Sequence, residues 1–259
     1  MTVDTLSLAG KVAIVTGSGR ENGIGAYIAY ALARNGAAVT LNYVSDSSAP
    51  RAAIVGKRIQ DAGGRATVVQ ASVGVEEDSK RLVSETLKAF NVDHIDILVN
   101  NAGVLNVHTS LDVTKEAADE ILNVNILGPI LLTQAVIPHM PPGGRIINIS
   151  SAASKMGMPI APVYGASKAA LDSLTYVWAQ EFGRSKGITV NSIAPGPVHT
   201  DIQGDHAEEA KNFAMGFIRA AERIGTTDDI ADAVLLIVNE KSRWITGQYI
   251  SVSGGMTGQ

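Results

Sequence analysis

Seven short apolar runs punctuate the chain: Lys11 to Thr16, Val39 to Val44, Ala66 to Gln70, Ile95 to Val99, Arg145 to Ile149, Ile188 to Ile193 and Gln248 to Val252. Most are rich in Val and Ile, the pattern of strands covered on both faces. Between them lie stretches of helical length, such as Ile24 to Asn35, Val75 to Phe90, Lys115 to His139 and Val163 to Ser185. That alternation predicts an α/β fold, a doubly wound parallel sheet of the Rossmann type in three layers (α/β/α) with about seven strands. Ligands of such sheets bind beyond the carboxyl ends of the strands, so functional residues are expected just after the runs.

Composition narrows the chemistry. With 259 residues, 46% of them hydrophobic and 18% charged, the chain is expected to form a single domain over residues 1–259. It has no Cys, which excludes thiol nucleophiles, disulfides and Cys-based zinc sites, so redox chemistry needs a borrowed cofactor. No metal site is expected. A formal charge of −4 without long like-charge runs argues against nucleic acid as a partner. Residues 1–11 lack the basic and apolar regions of a leader, and the apolar stretches fall short of the roughly 20 residues of a membrane helix, so a soluble cytoplasmic protein is expected.

The first run leads into Gly17-Ser18-Gly19-Arg20-Glu21-Asn22-Gly23-Ile24-Gly25 and then a helix of small residues, Ala26 to Ala31. Glycines in a strand-turn-helix allow a tight turn, close approach of backbone N–H groups to a pyrophosphate, and helix-to-sheet contact. A purely structural turn would use the same residues, and position after the first strand favours a cofactor.

Thr16-Gly17 with Gly23-Ile24-Gly25, Asn100-Asn101-Ala102-Gly103, Ser151, Tyr164-x-x-x-Lys168 and Pro195-Gly196 resemble, in order and spacing over nearly the whole chain, the classical short-chain dehydrogenases/reductases. The likeness extends to 3-oxoacyl-carrier-protein reductases and fungal ketoreductases of polyketide phenols. It implies four catalytic positions, Tyr164, Lys168, Ser151 and Asn125, and hydride transfer between NADP(H) and a ketone, or the reverse alcohol oxidation. A free phenol has a pKa of about 10 and needs its anion stabilised before it can protonate an alkoxide. Lys168, one helical turn from Tyr164, is expected to lower that pKa. Ser151 can donate to the substrate oxygen. In the family the Lys also holds the nicotinamide ribose, and the Asn holds a water that relays protons. The alternative for Asn125 is a polar contact that bends its helix.

NAD-specific folds carry an acid at the end of the second strand. Here Leu41-Asn42-Tyr43-Val44-Ser45 offers none, Tyr43 stands in its place, and Arg20, Asn42, Ser45 and Ser47 can reach a 2′-phosphate, so NADP(H) is expected. The resemblance adds Gly17, Gly19, Arg20, Gly23, Ile24, Gly25, Ser72, Asn101, Ala102, Gly103, Tyr164, Lys168, Pro195, Gly196, Val198 and Thr200 to the cofactor set.

Two features depart from the family pattern. Gly17 and Gly23 are separated by five residues instead of three, so either Gly17 keeps the turn and the loop bulges by two, or Gly19 takes the first-glycine role. Longer spacing resembles reductases of enoyl thioesters, but those carry Tyr and Lys seven apart, and position 171 is Leu. Ser72 stands where the family commonly has an Asp that accepts from adenine. A non-redox cyclisation, isomerisation or epimerisation with bound NADP is the alternative activity.

Substrate loops are expected at 104–111, 152–163 and 198–223, the last acting as a lid. His199, His206, Phe213, Met215, Phe217, Met156 and Met158 suit an apolar or aromatic ketone, although Phe213 and Phe217 could equally pack a helix. The resemblance implies a homotetramer or homodimer through the long helix Val163 to Ser185.

Overall fold

The computed structural model describes residues 5–201 and 215–258. Seven strands form one sheet: β1 (Val12–Val15), β2 (Ala38–Tyr43), β3 (Arg65–Gln70), β4 (Ile97–Asn100), β5 (Arg145–Ile149), β6 (Thr189–Pro195) and β7 (Tyr249–Val252). Their order is β3-β2-β1-β4-β5-β6-β7, every pair parallel. Each expected run became a strand within about two residues of its predicted bounds, as strand ends usually scatter. The order reverses at β1, which has β2 on one side and β4 on the other, and the loops that diverge there leave a crevice.

Alternate residues of the strands build two cores. Ala13, Val15, Val39, Leu41, Ile97, Val99 and Ile147 face α1 (Ile24–Arg34), α2 (Ala49–Asp61) and a later helix over Thr227–Val238. Val12, Ile14, Leu98, Ile146 and Val190 face the opposite layer, which includes α3 (Glu76–Phe90). The small residues of α1 allow close approach to the sheet, with Ala26, Ile28, Ala29 and Leu32 wholly buried.

Helix α2 was not among the helical segments read from the sequence. Its pattern is interrupted by Gly56, yet a Cβ there would come within 2.8 Å of Val68 Cγ2, so the glycine lets helix and strand meet. The stretch Lys115 to His139, read as one helix, is α4 (Lys115–Leu122), a π turn (Asn123–Leu127), α5 (Gly128–Val136) and a 3₁₀ turn (Ile137–His139). It corrects a second expectation, because by length and composition alone this run could cross a membrane. In the fold one side of it packs into the core, with Ile121, Leu132 and Val136 at 1% exposure or less.

Short α6 (Ala153–Met156) and long α7 (Pro162–Lys186) follow β5. Proline at its start fits α7, since its missing N–H is unneeded there, and Gly187 ends it in the left-handed region at φ 69°. The Thr227–Val238 helix, α8, opens with a capping box between Thr226 and Asp229, and Arg223 clamps the same carboxylate. The clamp holds the Asp229 pKa down at about 2.

Candidate active site

The glycine turn lies at the switch point between β1 and β4. Thr16 ties the two strands together: its hydroxyl donates to the Val99 carbonyl and accepts from the backbone N–H of Asn101 and Ala102, each at 2.9 Å. Asn101 returns the contact, its Nδ2 donating to the Thr16 carbonyl at 2.7 Å. Gly17 has φ +61°, and a Cβ there would lie 2.9 Å from Ala102 Cα. Gly17 therefore keeps the tight turn, and the two extra residues bulge further on. Gly19 has a separate duty, since a Cβ would lie 2.8 Å from that of Tyr43.

Gly23 is the N-cap of α1, with no side chain capping the helix and no acidic residue in its first turn. An uncapped helix amino end beside a glycine cradle suits a phosphate group. Gly25 completes the cradle, for a Cβ would come within 2.7 Å of the Gly17 carbonyl. Ile24, next to it, opens the helix.

Along the rim, Asn42 corrects its sequence reading. It is 2% exposed, its Nδ2 donates to the carbonyls of Ala71 and Tyr43, and its Oδ1 accepts from the Gly17 N–H. It braces the turn against β3 rather than standing free to meet a 2′-phosphate. Ser45 and Ser47 are exposed, and Ser45 forms a capping box with Ser48. Tyr43 is half-buried, and Arg20 is exposed, with no ion-pair partner among the described residues. The backbone N–H of Ser72 donates to Asp78, which fixes the start of that loop.

Across the crevice Pro195 ends β6 with its carbonyl accepting from Ala152 N–H at 2.8 Å. Gly196 lets the chain pass Ser253, whose Cα a Cβ would approach to 2.9 Å. Val198 bridges to Gly225, and Thr200 lies two residues beyond. Of the expected lid, residues 202–214, with His206 and Phe213, lie outside the described residues. His199 is exposed, Met156, Met158 and Met215 are half-buried, and Phe217 is 45% exposed.

The other wall gathers the four expected catalytic residues. Ser151 follows β5, and its hydroxyl accepts from the Ala153 N–H at 3.1 Å. Tyr164 lies in the first turn of α7 and Lys168 one turn later, its Nζ 5.8 Å from the phenol ring centre. The ammonium donates to the Ile149 carbonyl at 2.8 Å. Burial lowers the Lys168 pKa to about 8, against the opposing charge of Asp172 one turn further on. Burial pushes the Tyr164 phenol up from its ordinary value, and the nearby Ser151 hydroxyl opposes that rise in part.

Asn125 sits inside the π turn and is wholly buried. Its Oδ1 accepts from Val104 N–H at 2.9 Å, while Nδ2 donates to the Val104 carbonyl and to Ser167 Oγ, both at 3.0 Å. Gly103 closes the group, since a Cβ would lie 3.2 Å from Lys168 Nζ and 3.3 Å from Asn125 Oδ1. The side chain of Asn125 thus clamps the loop after β4 to the helix carrying Tyr164.

Behind this wall runs a buried polar chain the sequence reading missed. Asn100 Nδ2 donates to Asn148 Oδ1, Asn148 Nδ2 to Thr175 Oγ1, and Thr175 pairs with Ser192, all within 2.9 Å. Only strand register brings these positions together, although Thr175 at seven residues from Lys168 was a signal for one helix face. Beside the mouth, Leu105, Val107 and Ile160 are exposed, and the His108 N–H donates to the Ile160 carbonyl to join their two loops.

A family model described as Enoyl-(Acyl carrier protein) reductase matches residues 17–257. The chain is 43% identical over 256 residues to short-chain dehydrogenase/reductase FrzI of Cladobotryum sp, covering 96% of this chain and 97% of that protein. It is 35% identical to versicolorin reductase 1 of Aspergillus parasiticus, over 97% of this chain and 98% of the relative. Among solved structures it is similar to the angucycline C-6 ketoreductase LanV with bound NADP, at a TM-score of 0.88 and 36% identity, over 96% of both chains.

Proposed function

The chain belongs to the short-chain dehydrogenase/reductase family, and on that premise we propose that it is an NADP(H)-dependent carbonyl reductase. The observation that carries this reading is the convergence of Ser151, Tyr164 and Lys168 beyond the end of β5, where Lys168 Nζ lies 5.8 Å from the Tyr164 ring centre and donates to the carbonyl of Ile149, two residues before Ser151. The glycine cradle and the uncapped end of α1 would hold the dinucleotide's pyrophosphate, with Arg20, Tyr43 and Ser45 around a 2′-phosphate. The NADP bound to LanV supports that choice. The cofactor, when bound, supplies the hydride.

This chain's residues supply the rest. Ser151 Oγ orients a substrate carbonyl and stabilises charge growing on its oxygen. Tyr164 Oη gives that oxygen a proton. A phenol held high by burial stays protonated at neutral pH, so the donor is loaded before each turnover. Lys168, whose pKa burial lowers to about 8, would return a proton to the phenolate and regain one from solvent. Asn125, bonded to Ser167 on α7 and to Val104, holds the helix that carries Tyr164 and Lys168 against the loop after β4.

An enoyl thioester fits less well. Leu171, seven residues after Tyr164, is 1% exposed and offers no cation. The exposed apolar residues Leu105, Val107 and Ile160 beside the mouth suit an apolar or aromatic ketone, in keeping with a versicolorin reductase among the relatives. We further read the protein as a cytoplasmic homotetramer or homodimer paired through α7, whose Tyr176 and Val177 are exposed. The functional test is a panel of aromatic ketones and β-ketoacyl thioesters followed by NADPH absorbance. Stoichiometric NADPH consumption with alcohol formation is expected; product without NADPH consumption would replace reduction by a non-redox reaction.

A further inference from the structure

The two residues that lengthen the glycine turn have partners far from it in sequence. Glu21 accepts from Arg51 Nε on α2, and Asn22 Nδ2 donates to Asp201 Oδ1 at 2.9 Å. Arg51 closes the circuit by donating through Nη2 to the other oxygen of Asp201. Four side chains from three crossovers, those after β1, β2 and β6, therefore form one bridge.

Its path matters more than its strength. In the sheet β4 and β5 lie between β1 and β6, so the contact from Asn22 to Asp201 joins crossovers that leave the carboxyl ends of strands three places apart. That is where a dinucleotide lies in a doubly wound sheet. Arg51 serves two carboxylates on different loops, and without it Glu21 and Asp201 would face each other as like charges. Ordinary exposed ion pairs contribute little, but these side chains are only 25–39% exposed and share their donors.

We propose that this bridge is a strap over the cofactor crevice and that Arg51 is its positioning residue, setting how long a nucleotide stays bound. The proposal rests on the cofactor reading above. Closed, the strap has to part before a dinucleotide can leave, so its loss acts on dissociation and falls equally on NADPH and NADH. A contact between Arg51 and the 2′-phosphate would instead affect NADPH alone.

The experiment compares the full-length wild type with Arg51→Met, Asp201→Asn and the double variant, using stopped-flow displacement of NADPH and of NADH. Release is expected to quicken about tenfold for both nucleotides in each single variant, with no further gain in the double variant because the two residues act through one bridge. Release within twofold of wild type, or a change confined to NADPH, overturns the strap. A second arm needs no nucleotide: amide exchange over residues 18–23 of the cofactor-free protein is expected to rise about tenfold in both single variants. Unchanged exchange overturns the bridge itself. A wild type that binds neither nucleotide overturns the cofactor reading and the strap with it, whereas unchanged release from a chain that binds both overturns the strap alone.

Discussion

The two walls of the crevice are held in place by different physics. On the catalytic side, Asn100, Asn148, Thr175, Ser192, Asn125 and Ser167 are buried, neutral and hydrogen-bonded to one another or to backbone. On the cofactor side the turn is tethered by Glu21, Arg51, Asn22 and Asp201, which are charged or polar and partly wet. Neutral bonds in a dry interior are insensitive to salt and costly to break, while charged bonds at a rim are screened and cheaper to open. The first arrangement suits groups that must keep sub-ångström positions through the reaction. The second suits a mouth through which a large anion has to pass each cycle.

The sharpest way to break this contrast is within the catalytic wall. Tyr164→Phe is expected to lower kcat for ketone reduction by roughly 10²–10⁴-fold, with nucleotide affinity nearly unchanged. Full activity in that variant would remove the phenol from the chemistry.

Next in size is Asn148→Ala, which leaves Asn100 and Thr175 each short of a partner deep in the sheet. It should cost about 2–4 kcal/mol and lower Tm by roughly 5–15 °C, read by calorimetry. A loss under about 0.5 kcal/mol would mean that the buried chain does not hold this wall.

A smaller effect is pH-dependent. Lys168 has a folded pKa of about 8, below its unfolded value of 10.5, so the unfolded chain binds more protons between these limits and stability rises with pH across them. The difference in Tm between Lys168→Met and wild type is therefore expected to fall by several degrees from pH 7.5 to pH 10. A constant difference would place the lysine in a wetter setting.

The smallest sharpens the comparison from the other wall. Raising ionic strength from about 0.05 to 0.5 M is expected to quicken nucleotide release a few-fold while Tm changes little. Equal responses on both sides would erase the distinction.

All seven strands were legible in the sequence, because strand burial leaves an apolar run, and the candidate catalytic positions were named through the family motif, with Tyr164 and Lys168 one helical turn apart. The purpose of Asn42 was not, since only the fold shows the Ala71 carbonyl beside its amide. The same holds for Arg51 and Asp201, 150 residues apart along the chain and joined only by the meeting of two crossovers. Helix α2 escaped because Gly56 reads locally as a breaker, whereas Val68 across the layer requires it.

The π turn at Asn123–Leu127 has a consequence of a different kind. Its hydrogen bond from Gly128 N–H to the Asn123 carbonyl encloses one residue more than an α turn, so the segment is in effect an α-helix with a one-residue insertion. Loss of a single codon there would restore uniform winding between α4 and α5 and leave a smooth helix with no clamp at its centre. One extra residue in the winding is thus what points the Asn125 amide at both Val104 and Ser167, and its removal would part the loop after β4 from α7 while leaving both helices whole.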